Sequence, residues 1–118
     1  MFEVVASKNW RYTGVDITPD MKIIISYEKG KWNIGHPYPY SDADGYADLV
    51  LADRRFPAIN SAALMGRVGN KELKVANYCE ISGSQMTGRL ALIINDHPSY
   101  YDDNLGRITV KICIQSSL

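Results

Sequence analysis

Polar and apolar residues alternate strictly over the last part of the chain, from Arg107 to Gln115. Successive side chains of a β-strand point to opposite faces, so this pattern predicts a strand with one face in a core and one in water. A second, apolar run, Arg89–Ile94, comes shortly before it and also predicts a strand. Residues 95–106 are therefore expected to form a loop between two strands.

Turn residues divide the rest of the chain into further short strands. The β-branched run within Met21–Glu28 favours a strand, and Lys29-Gly30 is expected to turn the chain after it. Gly69-Asn70 predicts a tight turn between two strands, Ala62–Val68 and Glu72–Ala76. Phe2–Ala6 is a further predicted strand, and the strand that ends at Ile94 is expected to begin at Thr87.

Strands at this spacing, with no credible helix between them, predict an all-β fold. We expect an antiparallel β-sandwich, jelly-roll-like, with two packed sheets and one domain spanning residues 1–118. A chain of this length buries a useful core without disulfides or structural metals. Cys79 and Cys113 lack metal-ligand spacing and are expected to be free thiols, although the sequence alone leaves a disulfide open.

The charge and hydropathy patterns argue against two classes of partner. The chain has 13 basic and 13 acidic residues and no basic run, so we expect no nucleic-acid binding. No apolar stretch reaches membrane-spanning length, and the first residues lack the shape of a signal peptide. We therefore expect no membrane insertion, and a protein that is cytoplasmic or released without a classical signal peptide.

The loop at 95–106 concentrates hard oxygen ligands between its two strands. It holds three carboxylates and two side-chain amides, and calcium binds six to eight such oxygens in flexible geometry. Asp96 and Asp103 stand at opposite ends of the loop and can converge as the strands pair, with Asn104 and loop carbonyls completing the shell. The competing interpretation is a metal-free turn, because Asp and Asn are also common in turns.

Little in the sequence supports catalysis. His36 and His97 are the only histidines, and neither a Gly-x-Ser-x-Gly motif nor a phosphate-binding loop is present. Asp96 and Asp103 could in principle act as a glycosidase acid/base pair. A metal between them would make both carboxylates ligands and remove the proton-transfer role. We therefore expect a protein that is not an enzyme.

Three segments resemble one protein family. Asn95-Asp96, Pro98, Tyr101, Asp103-Asn104 and Gly106 stand in step with the C-terminal signature of the PA-I-like (LecA-like) galactophilic lectins, which are calcium-dependent bacterial sugar-binding proteins. Ala62–Gly69 resembles that family's Gly-Ala-Leu-x-x-Lys/Arg-Ile-Gly strand, and Gly30–Gly35 is similar to its Gly-Trp-x-x-Tyr-Gly segment. The likeness spans nearly the whole chain and is most specific in the last third.

The resemblance implies a bound calcium ion that bridges protein and sugar, with galactose hydroxyls completing its coordination. It makes Asp96, Asp103 and Asn104 side-chain ligands, and Tyr100 and Ile34 backbone-carbonyl ligands. The three side chains would also contact the sugar. The resemblance further implies galactose-containing glycans as partners and a homotetramer.

The chain also departs from the family pattern. The family's His-Pro-x-x-Gln segment, which contacts the far side of galactose, has no counterpart at the equivalent place. A loop rich in Tyr and Pro, residues 38–46, either packs on the sandwich, which we favour, or replaces those contacts. His97, beside the first calcium ligand, either touches the sugar or faces solvent.

These observations predict a calcium-dependent lectin that recognises galactose or galactosides. One alternative is a lectin-like sandwich whose calcium is structural and serves protein–protein interaction, or whose sugar specificity has changed. A weaker alternative is an interaction domain without a metal, in which Asp96, Asp103 and Asn104 only shape a turn.

Overall fold

The computed structural model describes residues 1–7, 9–35, 38–46, 59–96 and 104–116. The described residues form β-strands and no helix, so they contain no helix long and apolar enough to cross a membrane. The strands are β1 (Phe2–Val5), β2 (Arg11–Ile17), β3 (Met21–Asn33), β4 (Leu64–Val68), β5 (Lys71–Lys74), β6 (Tyr78–Ser82), β7 (Gly88–Ile94) and β8 (Leu105–Ser116).

The strands form two antiparallel sheets, in the orders β1-β8-β3-β6 and β2-β7-β4-β5. Strand β1 pairs with β8, β2 with β7, β3 with β6 and β4 with β5. These four pairs are those of one long hairpin folded over on itself. The further pairs β3–β8 and β4–β7 join its strands into the two sheets. It is a jelly-roll arrangement, which confirms the predicted antiparallel sandwich of two sheets.

The hydrophobic core lies between the two sheets and includes Trp32. Its inward residues include Ile23 and Ile25 from β3 and Leu90 and Leu92 from β7, all fully buried. Trp32, near the end of β3, is also fully buried, and its indole N–H donates to the carbonyl of Ala62 at 2.9 Å. Because Ala62 precedes β4 of the opposite sheet, this bond ties the two sheets together.

The prediction of a turn at Lys29-Gly30 is wrong. Strand β3 continues to Asn33, and its register against β8 shifts between Tyr27 and Lys29, which marks a bulge. Gly30 has a φ of 95° here, and a Cβ would lie 2.5 Å from the Arg107 carbonyl oxygen. Gly30, which predicted a turn in the sequence, thus allows β3 and β8 to approach closely within a continuous strand.

The tight turn at Gly69-Asn70 is confirmed, since Val68 pairs directly with Lys71 on either side of it. Two further strands, β2 and β6, were not predicted from the sequence. Cys79 and Cys113 are free. They lie on β6 and β8, and β3 runs between those strands.

Candidate metal site

The pairing of β3 with β8 brings Ile34 and Asn104 to the same end of the sandwich. Asn33 pairs with Leu105 at the last step of this ladder. In an antiparallel pair the next residues outward are also opposite each other, so Ile34 and Asn104 leave the sheet side by side. Gly106 makes this approach possible, because a Cβ there would overlap the backbone of β3 at Lys31.

Asp96 reaches the site from the other sheet, held by its neighbour Asn95. The Asn95 backbone exchanges hydrogen bonds with the residues before β4: its N–H donates to Ala63 at 2.9 Å, and its carbonyl accepts from Ala62 at 2.7 Å. Its side-chain amide donates to the carbonyls of Ile59 and Asn60 at 3.1 and 3.0 Å. With Asn95 fully buried and fixed in this way, the position of the next residue is set by the fold.

The carboxylate of Asp96 is buried, with 1% of the residue exposed. A carboxylate removed from water is stable only when hydrogen bonds, an opposite charge or a metal ion compensate for the lost hydration. Asp96, the second residue after β7, therefore places a strong hard-oxygen donor inside the protein rather than on its surface.

Tyr46 connects Ile34 with Asp96. Its hydroxyl accepts a hydrogen bond from the Ile34 N–H at 3.3 Å and donates to the Pro39 carbonyl at 2.7 Å. Burial raises the pKa of Tyr46, the Ile34 N–H opposes this rise, and the negative charge of Asp96 adds to it. Hydrogen bonds between the sheets place Asp96 at the same end of the sandwich as Ile34, because Trp32 donates to the Ala62 carbonyl and the Ala62 N–H donates to the carbonyl of Asn95.

The side chain of Asn104 is the unusual feature of this end of the sandwich. Both its Oδ1 and Nδ2 atoms are buried, and neither has a hydrogen-bond partner within the described part of the chain. Leaving a buried amide group unsatisfied costs about 1–3 kcal/mol. A cation bound at Oδ1 would remove part of that cost, so the amide, the buried carboxylate and the Ile34 carbonyl together fit a calcium ion.

The other predicted ligands, Tyr100 and Asp103, lie outside the described residues, as does His97. Their roles remain predictions. Within the described ranges, no group of three or more His, Cys, Asp or Glu side chains could hold a metal ion. Of the two acidic residues in the predicted ligand set, only Asp96 lies within the described residues.

The loop at 38–46 packs mainly on the sandwich. Tyr38 and Tyr46 stack with ring centroids 5.5 Å apart, and both rings pack against the core. Tyr40 is 54% exposed and borders an open cavity of about 550 Å³ that Tyr46 also lines. Since Tyr46 also contacts Ile34, this cavity adjoins the candidate metal site.

The carboxylates of this loop hold it in place. Asp42 accepts a hydrogen bond from the Asp44 N–H at 2.9 Å and another from the Asn77 side-chain amide at 3.2 Å. Asp44 in turn accepts from the Asn77 backbone N–H at 2.9 Å. Both acids therefore anchor the loop to the β5–β6 connection. Nothing in the sequence indicated this role of Asn77, nor the contact of Tyr46 with Ile34.

Comparison with known proteins supports the fold. No family model and no curated protein matches the chain. Among solved structures, the N-terminal domain of EclA, described as a PllA-like lectin, matches with a TM-score of 0.72 and 22% sequence identity. The match covers 98% of this chain and 97% of that domain. The chain therefore has the fold of a PllA-like lectin domain, in agreement with the lectin resemblance of its sequence motifs.

Proposed function

We propose that this protein is a calcium-dependent lectin that binds galactose and galactosides. The observation that carries the proposal is the Asn104 amide, which is buried without a partner among the described residues and lies next to Ile34 at the end of the β3–β8 pair. The burial of Asp96 supports it. The likeness of the fold to a lectin domain supports carbohydrate binding as the general activity.

Asp96 and Asn104 would hold the ion through side-chain oxygens, and Ile34 through its backbone carbonyl. Asp103 and Tyr100 are expected to complete the set. When bound, calcium offers coordination positions that two neighbouring sugar hydroxyls fill in place of water.

The protein groups beside the ion then select the sugar. Asp and Asn oxygens accept the protons of the coordinated hydroxyls, and a hydrogen bond to a charged acceptor is roughly twice as strong as a neutral one. Galactose has an axial O4 and presents a different pair of hydroxyls from glucose, so the geometry of these acceptors sets specificity. Tyr40, the exposed ring beside the adjoining cavity, offers an apolar surface to the rest of the sugar.

A structural calcium is the second candidate, and two observations favour it. The chain lacks the His-Pro-x-x-Gln segment, and Tyr38 and Tyr46 stack on each other rather than facing solvent. In this case calcium stabilises the fold and no galactose binds. A glycan array in calcium then separates a changed sugar specificity from the loss of sugar binding.

Retention on a galactose column tests the proposal. We expect the protein to be retained in millimolar calcium and to elute with a chelator or with free galactose, but not with glucose. Retention that survives chelation would show that calcium takes no part. Failure to bind, together with unchanged melting in calcium, would overturn the proposal.

A further inference from the structure

A second cavity, of about 340 Å³, lies on the β2-β7-β4 side of the second sheet. Arg67 and Ala91 pair across β4 and β7, while their neighbours Val68 and Leu90 are buried in the core. Since side chains alternate along a strand, Arg67 and Ala91 point away from the core. The residues that carry the cavity's chemistry are Trp10, Tyr12, Arg67, Arg89 and Asn70.

Two guanidinium groups lie over aromatic rings in this cavity. The Cζ of Arg67 is 4.5 Å from the centroid of the Trp10 ring, and the Cζ of Arg89 is 4.7 Å from that of Tyr12. Such stacking holds a guanidinium in one orientation and leaves its N–H edge for hydrogen bonds. Each edge carries donors whose spacing matches the oxygens of a carboxylate or a sulfate.

The acidic groups nearby do not neutralise these arginines by contact. Glu72 is opposite Arg67 on β5, and Asp16 is opposite Arg89 on β2. Within the described residues, neither guanidinium has a carboxylate oxygen within 4.0 Å. Asp16 instead accepts a hydrogen bond from the Tyr12 hydroxyl at 2.8 Å. Among the described residues, the two guanidinium groups therefore share one cavity without a carboxylate in contact with either of them.

We propose that this cavity binds the carboxylate or sulfate group of an acidic sugar, independently of calcium. The two guanidinium groups would hold the anionic group, and the Asn70 amide and the rings of Trp10 and Tyr12 would contact the sugar. The volume is at the lower end of the range for small-molecule sites, about 300–1,000 Å³, and suits a single sugar unit. The choice of a sugar as carrier rests on the proposed lectin function.

The two candidate sites are separate on the fold. Gly69 and Asn70, which line this cavity, form the turn after β4, whereas Ala62 and Ala63, just before β4, bond to Asn95, the neighbour of Asp96. A negative result at one site therefore does not decide whether the other site binds its ligand.

Nuclear magnetic resonance titration of the full chain, in chelator, tests the inference. The probes are glucuronic acid and galactose 6-sulfate, with glucose as the neutral control and inorganic sulfate as the free anion. We expect both acidic sugars to shift the indole N–H of Trp10 and to leave that of Trp32 unchanged, because Trp32 is buried and bonded to Ala62. A shift with only one of them identifies the anionic group recognised.

Arg67→Gln and Arg89→Gln should each weaken this binding about tenfold, the effect of one lost charged hydrogen bond. Arg11→Gln is the matched control, because Arg11, on β2, also lies over an aromatic ring, with its Cζ 5.8 Å from the Phe2 centroid, but does not line the cavity. The Arg11 variant should bind like the wild type.

No shift with either acidic sugar, or an equal shift with glucose, would overturn the inference. If inorganic sulfate bound as tightly as the acidic sugars, the cavity would be a simple anion site, and the proposed contacts with the sugar would be wrong.

Discussion

Two asparagines at the ends of the same loop have opposite surroundings. The Asn95 amide donates to two carbonyls and its backbone makes two further bonds, whereas the Asn104 amide has no partner among the described residues. Hydrogen bonds of a buried amide stabilise the fold, and an unsatisfied amide destabilises it. We interpret Asn95 as a structural residue that positions Asp96, and Asn104 as a ligand whose partner is the ion.

This contrast predicts different effects for the same substitution. Without calcium, Asn95→Ala should lower the free energy of unfolding by about 2–3 kcal/mol, because the buried amide is lost and the carbonyls of Ile59 and Asn60 lose their donor. Asn104→Ala should change it by less than about 1 kcal/mol under the same conditions, since no hydrogen bond is lost. Urea unfolding in chelator measures both. Equal losses for the two variants would contradict the assignment of Asn104 as a ligand.

Asp96 carries the charge that a divalent ion requires. Asp96→Asn keeps the shape of the side chain and removes that charge, so we expect the rise in melting temperature on adding calcium to disappear. Asp20→Asn is the control, because Asp20 lies just before β3, at the opposite end of the strand from Ile34. The control should keep the full rise. A calcium response that persists in Asp96→Asn would place the ion elsewhere.

At the scale of the elements, the alternation of polar and apolar residues predicted the strands that bury one whole face. It did not predict the strands that bury few residues or are interrupted. Strand β8 places Ile108 and Val110 in the core between exposed or half-buried neighbours, as its sequence indicated. Strand β6 buries only Ile81, and the register of β2 shifts between Tyr12 and Asp16. An edge strand with one buried residue and a strand broken by an irregularity carry almost no periodic signal.

The candidate site was predictable only in part for a related reason. Hairpin pairing of the flanking strands was expected to bring Asp96 and Asp103 together, and the chemistry of the loop indicated calcium. The structure instead pairs β8 with β3, and Asp96 follows β7, a strand of the other sheet. The contacts of Tyr46 and Ile34 depend on this packing between distant segments, which local sequence patterns do not record.

The close approach of β3 and β8 gives a prediction at this scale. Gly106→Ala and Gly14→Ala both introduce a Cβ at a positive φ, 88° and 86° respectively, but only at Gly106 does the Cβ meet backbone atoms. We expect Gly14→Ala to cost about 1–2 kcal/mol from strain alone. Gly106→Ala should cost roughly 1–3 kcal/mol more because the strands must separate.

Gly106→Ala should also weaken calcium binding, since Ile34 and Asn104 leave the sheet beside this contact. Gly14→Ala should bind calcium like the wild type. Urea unfolding and calcium titration on both variants measure the two effects. A Gly106→Ala variant with unchanged calcium affinity would contradict the placement of the ion at the end of the β3–β8 pair.

At the scale of the whole molecule, the proposed ion would link the two sheets, because Asp96 follows β7 and Ile34 and Asn104 flank the β3–β8 pair. Calcium that binds the folded state with micromolar affinity should, at millimolar concentration, add about 4 kcal/mol to stability. For a chain of this size that raises the melting temperature by about 15 °C. Differential scanning calorimetry with calcium and with chelator measures the rise, and identical curves would favour the metal-free alternative.

The resemblance to tetrameric lectins gives a further expectation. Several weak sugar sites on one particle bind a glycan surface more tightly than one site does. We expect a homotetramer, with four times the mass of the 13.2 kDa chain, in sedimentation velocity experiments. A monomer at tens of micromolar would contradict this expectation and remove multivalency from the proposed function.

Titration calorimetry of galactose into the protein, in millimolar calcium and again in chelator, tests the central claim most directly. We expect heat from one site per chain in calcium and none after chelation, because the ion held by Asp96 and Asn104 presents the coordination positions that galactose fills. Equal heats in both conditions, or no heat in either while calcium leaves the melting temperature unchanged, would contradict a calcium-dependent galactose lectin.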